Sequence, residues 1–195
     1  MFARGFKSWC ENVAIQQRRE LKLKPSDPLD PKTLAEHLGI NVWSAEDVPG
    51  LEKEYLKVLL EDDPDSWSAV TLCVGTENLI ILNSSHRGGR PASDLMHEIS
   101  HIILDHKANR AFITGDGLLM LSTFDKKQEE EAGWLTGCLL LPREALMQIA
   151  LQKTDLRSAA EEFSVSVSML QYRMNVTGVK NQINRRKKKT TTARK

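Results

Sequence analysis

Long apolar runs are missing from this chain: nowhere in its 195 residues do about eighteen uncharged apolar residues follow one another, so no bilayer-spanning helix is expected. The opening Met1 to Lys7 lacks the apolar stretch of a secretory signal, which places the protein in the cytosol. Cysteine is scarce. Cys10, Cys73 and Cys138 are odd in number, far apart and without a C-x-x-C pair, which excludes a disulfide framework or a structural zinc knuckle and leaves buried free thiols. Internal repeats, a Gly-rich phosphate loop and a nucleophile elbow are also lacking. Acidic residues are absent from Lys180 onward, where eight of the 27 Lys and Arg lie, leaving the preceding body acidic at 19 bases against 26 acids despite a net charge of +1. Such a tail has almost nothing apolar to pack and reads as a disordered, solubilising terminus, with a weak nucleic-acid or acidic-partner contact as the alternative.

What is present has the apolar share of an ordinary globular protein. Phe6, Trp9, Cys10, Val13, Ala14, Gln17 and Leu21 follow three-and-four spacing, predicting an amphipathic helix over residues 5–23. Asp30-Pro31 is a helix start, Leu34, Ala35 and Leu38 its inner face, and Gly39 its stop. A short strand at 40–43 follows, then a stretch at 51–60 of helical composition between Pro and Gly breakers. Residues 67–74 and 79–82 read as a hairpin turning at 75–78, and Thr114 to Gly117 as a loop. Helices are predicted over 91–106 and 127–141, with Pro142 as the next boundary. Two short helices at 155–162 and 167–174, joined by Ser164-Val165-Ser166, have a helix-turn-helix outline whose second helix would carry Gln171 and Arg173 toward DNA. The acidity of the first helix and of the body favours packing or substrate docking over sequence-specific DNA binding.

Within the buried helix stands His97-Glu98-Ile99-Ser100-His101. Four residues apart, the two imidazoles share a helix face and both can reach one ion at about 2.0 to 2.1 Å, the zinc–nitrogen distance. Glu98 is one step round, off the ligand line, yet placed to take a proton from a water that the ion acidifies. Surface histidines are the bland alternative, but among apolar neighbours an unpartnered His pair and a Glu would be costly. A catalytic zinc takes three protein ligands, and Glu129-Glu130-Glu131 opens a helix within forty residues downstream. Acids at a helix start also complement its dipole, which suffices for two of the three. Glu129 shares its face with the small Ala132, Gly133 and Thr136, whereas Glu130 shares one with Trp134 and Glu131 with Leu135. His106, two and a half turns past His97, falls on the far side of an ideal helix and reads as a cap. Asp105 is either a partner for a histidine N–H or a helix-end acid, His86 a basic-loop residue or a substrate contact, and His37 a surface or cap residue.

The stretch from Ile80-Ile81-Leu82-Asn83 through Arg90 to His106, and the segment from Glu129 to Pro142, resemble the core of the ImmA/IrrE family of metallopeptidases, whose second segment runs E-x-x-A-[ND]-x-F-A-x-x-L-L-x-P. The likeness extends more weakly to Arg4 to Lys7, to Leu34 to Ile40 and to the helix-turn-helix outline. It implies that Glu129 completes the zinc site, with Glu131 as the fallback. Four positions depart from the family: Gly133 replaces Asn or Asp, Leu135-Thr136 replaces Phe-Ala, and Ser100 replaces the commoner Gly.

Together these readings imply an α+β zincin-like domain over 1–150, helices on a small antiparallel sheet, a helix-turn-helix-like appendage over 151–179 and a basic disordered tail over 180–195. The expected cofactor is Zn2+, held by His97, His101 and Glu129, with Glu98 as catalytic base; substrate-binding residues and the oxyanion donor are not legible. The resemblance implies a protein substrate, typically a helix-turn-helix repressor of a mobile element or stress response. A non-catalytic DNA-binding or regulatory protein on the same fold, and one half of a toxin–antitoxin pair, are the alternatives. No membrane partner is expected, and the oligomeric state is not readable.

Overall fold

Gly5, with φ of 87°, makes the left-handed turn from which the first helix departs. The computed structural model describes residues 2–74, 77–106, 110–113, 119–121 and 125–183, with the backbone alone at 74, 110–113 and 119–121. The order is α1 (Phe6–Glu20), α2 (Pro31–His37), β1 (Asn41–Ser44), α3 (Lys53–Lys57) running into a wider π turn (Val58–Asp62), β2 (Ala69–Val74), β3 (Glu77–Leu82) and α4 (Arg90–Ile103). Then follow β4 (Arg110–Ile113), β5 (Leu119–Leu121), α5 (Lys126–Leu140), α6 (Arg143–Gln152), α7 (Leu156–Glu162) and α8 (Val167–Thr177). The class is α+β. Among the described residues no helix is long and apolar enough to cross a membrane.

The sheet corrects one expectation. Its five strands run β1-β3-β2-β4-β5, and although the β2–β3 and β4–β5 pairs are antiparallel, β1 lies parallel to β3 and β4 parallel to β2. The sheet is therefore mixed, because strands that no tight turn connects are free to align in either direction. β4 and β5, four and three residues long, are too short to show alternation in sequence. The loop expected at Thr114 to Gly117 lies outside the described residues, as do the turn at 75–76 and the tail from 184 onward.

α2 starts where Asp30 accepts a hydrogen bond from the Thr33 N–H (2.8 Å), with Pro31 in the first turn. α6 went unread because Pro142 ends one helix and also caps the next, which buries Ala145, Leu146 and Ile149. One apolar core joins Cys10 and Ala14 of α1, Leu95, Met96 and Ile99 of α4, Leu135, Leu139 and Leu140 of α5, and Ala160, Leu170 and Met174 of α7 and α8. α7 and α8 are thus packed against the body. The turn between them sits on the start of α4, where a Cβ on Gly89 would come within 2.8 Å of the Ser164 carbonyl oxygen. Arg173, which a DNA-reading helix would turn outward, is 1% exposed: it donates to Glu11 Oε1 (2.8 Å) and to the Leu141 carbonyl, in keeping with the packing role favoured from the acidity of the body. It holds α8 to α1 and to the end of α5 and does not face outward.

α1 buries a charge that its hydrophobic pattern does not announce. The inner stripe is Cys10, Ala14, Gln17 and Arg18, while Trp9 remains exposed. Arg18 is completely enclosed and donates to the carbonyls of Asp27 (2.8 Å), Ala14 (3.1 Å) and Leu139 (2.7 Å). Burial lowers its pKa to about 10, partly offset by Asp27 and Glu11. One guanidinium thereby ties α1, the following loop and α5. Arg18→Ala would leave the Asp27 and Leu139 carbonyls without their Arg18 donor and a cavity behind, so a loss of about 3 kcal/mol is expected in urea unfolding.

Candidate metal centre

His97 and His101 lie one turn apart on α4 and meet edge to face, ring centroids 4.7 Å apart. α4 packs along α5, whose first turn is set by Asp125: its carboxylate accepts from the Lys127 N–H at 2.8 Å. That start places Glu129 opposite the histidines. His97 Nε2 and His101 Nε2 are 3.1 Å apart, and Glu129 offers Oε2 at 3.1 Å to the first and Oε1 at 3.3 Å to the second. A tetrahedral ion with bonds of about 2.0 to 2.1 Å has ligand atoms about 3.3 Å apart, so these separations suit zinc. The donor set of two imidazoles and one carboxylate also suits it. Among the described residues this is the one grouping of three such side chains whose ligand atoms converge. His101 is 1% exposed on its side chain, whereas His97 and Glu129 are 30% and 23% exposed, so the cluster is anchored inside and open on one side.

Glu98 leaves the ligand line and turns to the sheet, where it accepts a hydrogen bond of 2.5 Å from the Thr71 hydroxyl on the central strand β2. Burial raises the Glu98 pKa; the Thr71 hydrogen bond and His97 oppose that shift, and Glu129 and Asp94 add to it. Thr71 had no sequence signal, being 27 residues away on another element and itself 1% exposed.

α4 stops earlier than the periodicity suggests. Asp105 takes a left-handed conformation (φ 53°), and the N–H groups of Asp105 and His106 bond back to the carbonyls of Ile102 (3.0 Å) and His101 (2.9 Å). His106 is therefore a cap through its backbone, as expected, but the reversal also corrects its expected position on the far side: Nδ1 lies 3.2 Å from His101 Nδ1. Nε2 of the same ring faces Glu131 Oε2 at 3.4 Å. Glu131, the fallback ligand, thus meets His106, and Glu130 is exposed. His86 is buried, with Nδ1 3.0 Å from Asp94 Oδ2 and Nε2 3.2 Å from the Pro64 carbonyl, so it supports the loop before α4. His37 pairs with Glu20 on the surface. A cleft of about 660 Å³ between α2 and β1 contains none of the converging three.

Two of the family departures meet each other. Ser100 and Thr136 lie buried at the α4–α5 contact with hydroxyls 3.0 Å apart; one donates to the other, which in turn donates to a carbonyl of its own helix, Met96 for Ser100 or Ala132 for Thr136. Where Gly and Ala would be silent, the pair bridges the helices that hold the cluster. Gly133 differs from its expected inward position: it is exposed, and an added Cβ would touch nothing within 4 Å. Gly137 is the glycine that packing requires, since a Cβ there would lie 2.8 Å from the tethered Arg173 Cδ. Gly133→Ala should therefore raise stability by about 0.5–1 kcal/mol, while Gly137→Ala should lower it despite the same gain in helix propensity. Paired urea unfolding curves measure both signs.

The geometry agrees with the comparisons. No curated protein matches the chain, but the model of the IrrE N-terminal-like domain, a peptidase family, matches residues 35–175. That span runs from α2 into α8 and includes both helices of the cluster. With most of its length so matched, the chain belongs to the ImmA/IrrE family of metallopeptidases.

Proposed function

We propose that the protein is a zinc-dependent endopeptidase of the cytoplasm, with His97, His101 and Glu129 as metal ligands and Glu98 as general base. The observation that carries this reading is the convergence of His97 Nε2, His101 Nε2 and the Glu129 carboxylate within one ligand sphere, exposed on one side. When bound, the ion would supply Lewis acidity, polarising a carbonyl oxygen and bringing a water's pKa toward about 7. The chain's residues do the rest. Glu98, held by Thr71 and raised in pKa by burial, takes the proton of the attacking water and passes it to the leaving amine. Thr71 keeps that carboxylate aimed away from the ligand line, so base and ligands remain separate groups. The resemblance supports a protein substrate, and within that class a helix-turn-helix repressor encoded with a mobile element or stress response. Residues 1–150 would form the zincin-like peptidase unit. The 151–179 segment, a helix-turn-helix-like pair, would serve packing or docking, in keeping with the burial of Arg173. The basic tail expected over 180–195 would begin later, since residues 180–183 are helical and bury Ile183; the segment beyond them would be solubilising.

Metal analysis after zinc reconstitution and dialysis is expected to give about one ion per chain, lost in His101→Ala and Glu129→Gln. A wild-type chain that stays metal-free would overturn the reading. Glu98→Gln should keep zinc and fold while cleavage of a helix-turn-helix repressor that the wild type cuts, followed by mass spectrometry, falls by at least about 100-fold. Cleavage at the wild-type rate by that variant would remove Glu98 from the role of base.

A further inference from the structure

Beyond the three converging groups, a second row of side chains runs inward from His101. His101 presents Nε2 to His97 and Glu129 and Nδ1 to His106 Nδ1 at 3.2 Å. His106 in turn presents Nε2 to Glu131 Oε2 at 3.4 Å, and the other Glu131 oxygen lies 3.7 Å from Lys127 Nζ. His106 is 7% exposed and the Glu131 side chain 14%. Two imidazole nitrogens facing each other need one proton between them, and a nitrogen facing a carboxylate is the one that carries its ring's proton. Only one arrangement of neutral rings leaves Nε2 of His101 with a lone pair for a metal: His101 Nδ1–H donates to His106 Nδ1, and His106 Nε2–H points at Glu131.

We propose that His106 and Glu131 are positioning residues that fix the tautomer and ring orientation of His101 for metal binding, a carboxylate–histidine–histidine row made within this chain. The proposal rests on the metal-site reading above. Its physical logic is that a ligand imidazole whose remote N–H is engaged is both more basic and already oriented, so less freedom is lost when the ion binds. The backbone reversal at Asp105 makes the row possible, because a straight continuation of α4 would carry residue 106 away from His101. Glu131 stands two residues beyond Glu129 on α5, about 200° round the helix, and its carboxylate meets His106 and not the converging nitrogens. One helix thus supplies the proposed ligand carboxylate and the carboxylate that steadies a ligand.

The test measures zinc affinity by chelator competition in folded protein, with circular dichroism as the check on fold. His106→Leu should bind zinc about 10–100-fold more weakly. His106→Asn, whose Oδ1 takes the place of Nδ1 as acceptor, should recover most of that loss, and Glu131→Gln should weaken binding about tenfold. Glu130→Gln, at the exposed neighbour, should bind as wild type does. Should wild type bind zinc and His106→Leu bind it equally well, the row is overturned while the metal site stands. A wild-type chain that binds no zinc removes the metal site and the row together. If His106→Leu does not fold, proton–nitrogen NMR of the histidine rings in zinc-loaded wild type decides: His101 protonated at Nδ1 with Nε2 on the metal supports the row, and coordination through Nδ1 overturns it.

Discussion

Two helices must approach closely enough for a carboxylate on one to reach two imidazoles on the other. The rest of the site follows from that constraint. Small buried side chains at the α4–α5 contact permit the approach: Ala132 and Thr136 on α5 and Ser100 on α4, with the two hydroxyls joined across the gap. The Asp125 cap sets where α5 begins and hence which of three consecutive glutamates faces α4. A shift of one residue would turn that face through about 100° and bring a different acid to the histidines.

The molecule spends buried polar groups in holding these helices. Arg18 ties α1 to the end of α5, and Arg173 ties α8 to the same region and to Glu11. Both are almost wholly enclosed; carbonyl and carboxylate acceptors meet Arg18 and the Nε and Nη2 of Arg173, while Arg173 Nη1 has no hydrogen-bond partner among the described residues. Their shared target is the C-terminal end of α5, the last of whose carbonyls lack partners within the helix. The C-terminal helices therefore reach α4 through α5 and through the contact of Ser164 and Val165 with Gly89. Although the α7–α8 outline resembles a DNA reader, in this protein it helps to position α4 and α5.

Side-chain roles along α4 divide by direction. His97 and His101 face α5, Glu98 faces the sheet and Thr71, and the core residues Leu95, Met96 and Ile99 fill the space between. The division follows from the 100° step of the helix, which gives residue 98 a different neighbour from residues 97 and 101. The central strand supplies that neighbour, so the mixed sheet acts on the site through one hydroxyl. His106, beyond the end of the helix, returns to the first face only because the backbone reverses at Asp105.

The sequence by itself determined what local patterns encode: helices expected over 91–106 and 127–141, found at Arg90–Ile103 and Lys126–Leu140, the spacing of His97 and His101, the offset of Glu98 and, once resemblance was added to helical geometry, Glu129 as the acid that converges with them. Spacing along one helix is a short-range property, so the chain carries it openly. The mixed strand order, the three-residue β5 and the α6 start at Pro142 were not legible, because strand pairing and the reuse of a breaker as a cap depend on distant partners. Tertiary structure alone decided that Thr71 holds Glu98, that Arg18 and Arg173 are interior, that Gly133 faces outward, and that His106 and Glu131 stand behind His101. Each of these unites residues from separate elements or across a reversal of the chain, and which groups meet there is settled by packing and by the need of buried polar atoms for partners.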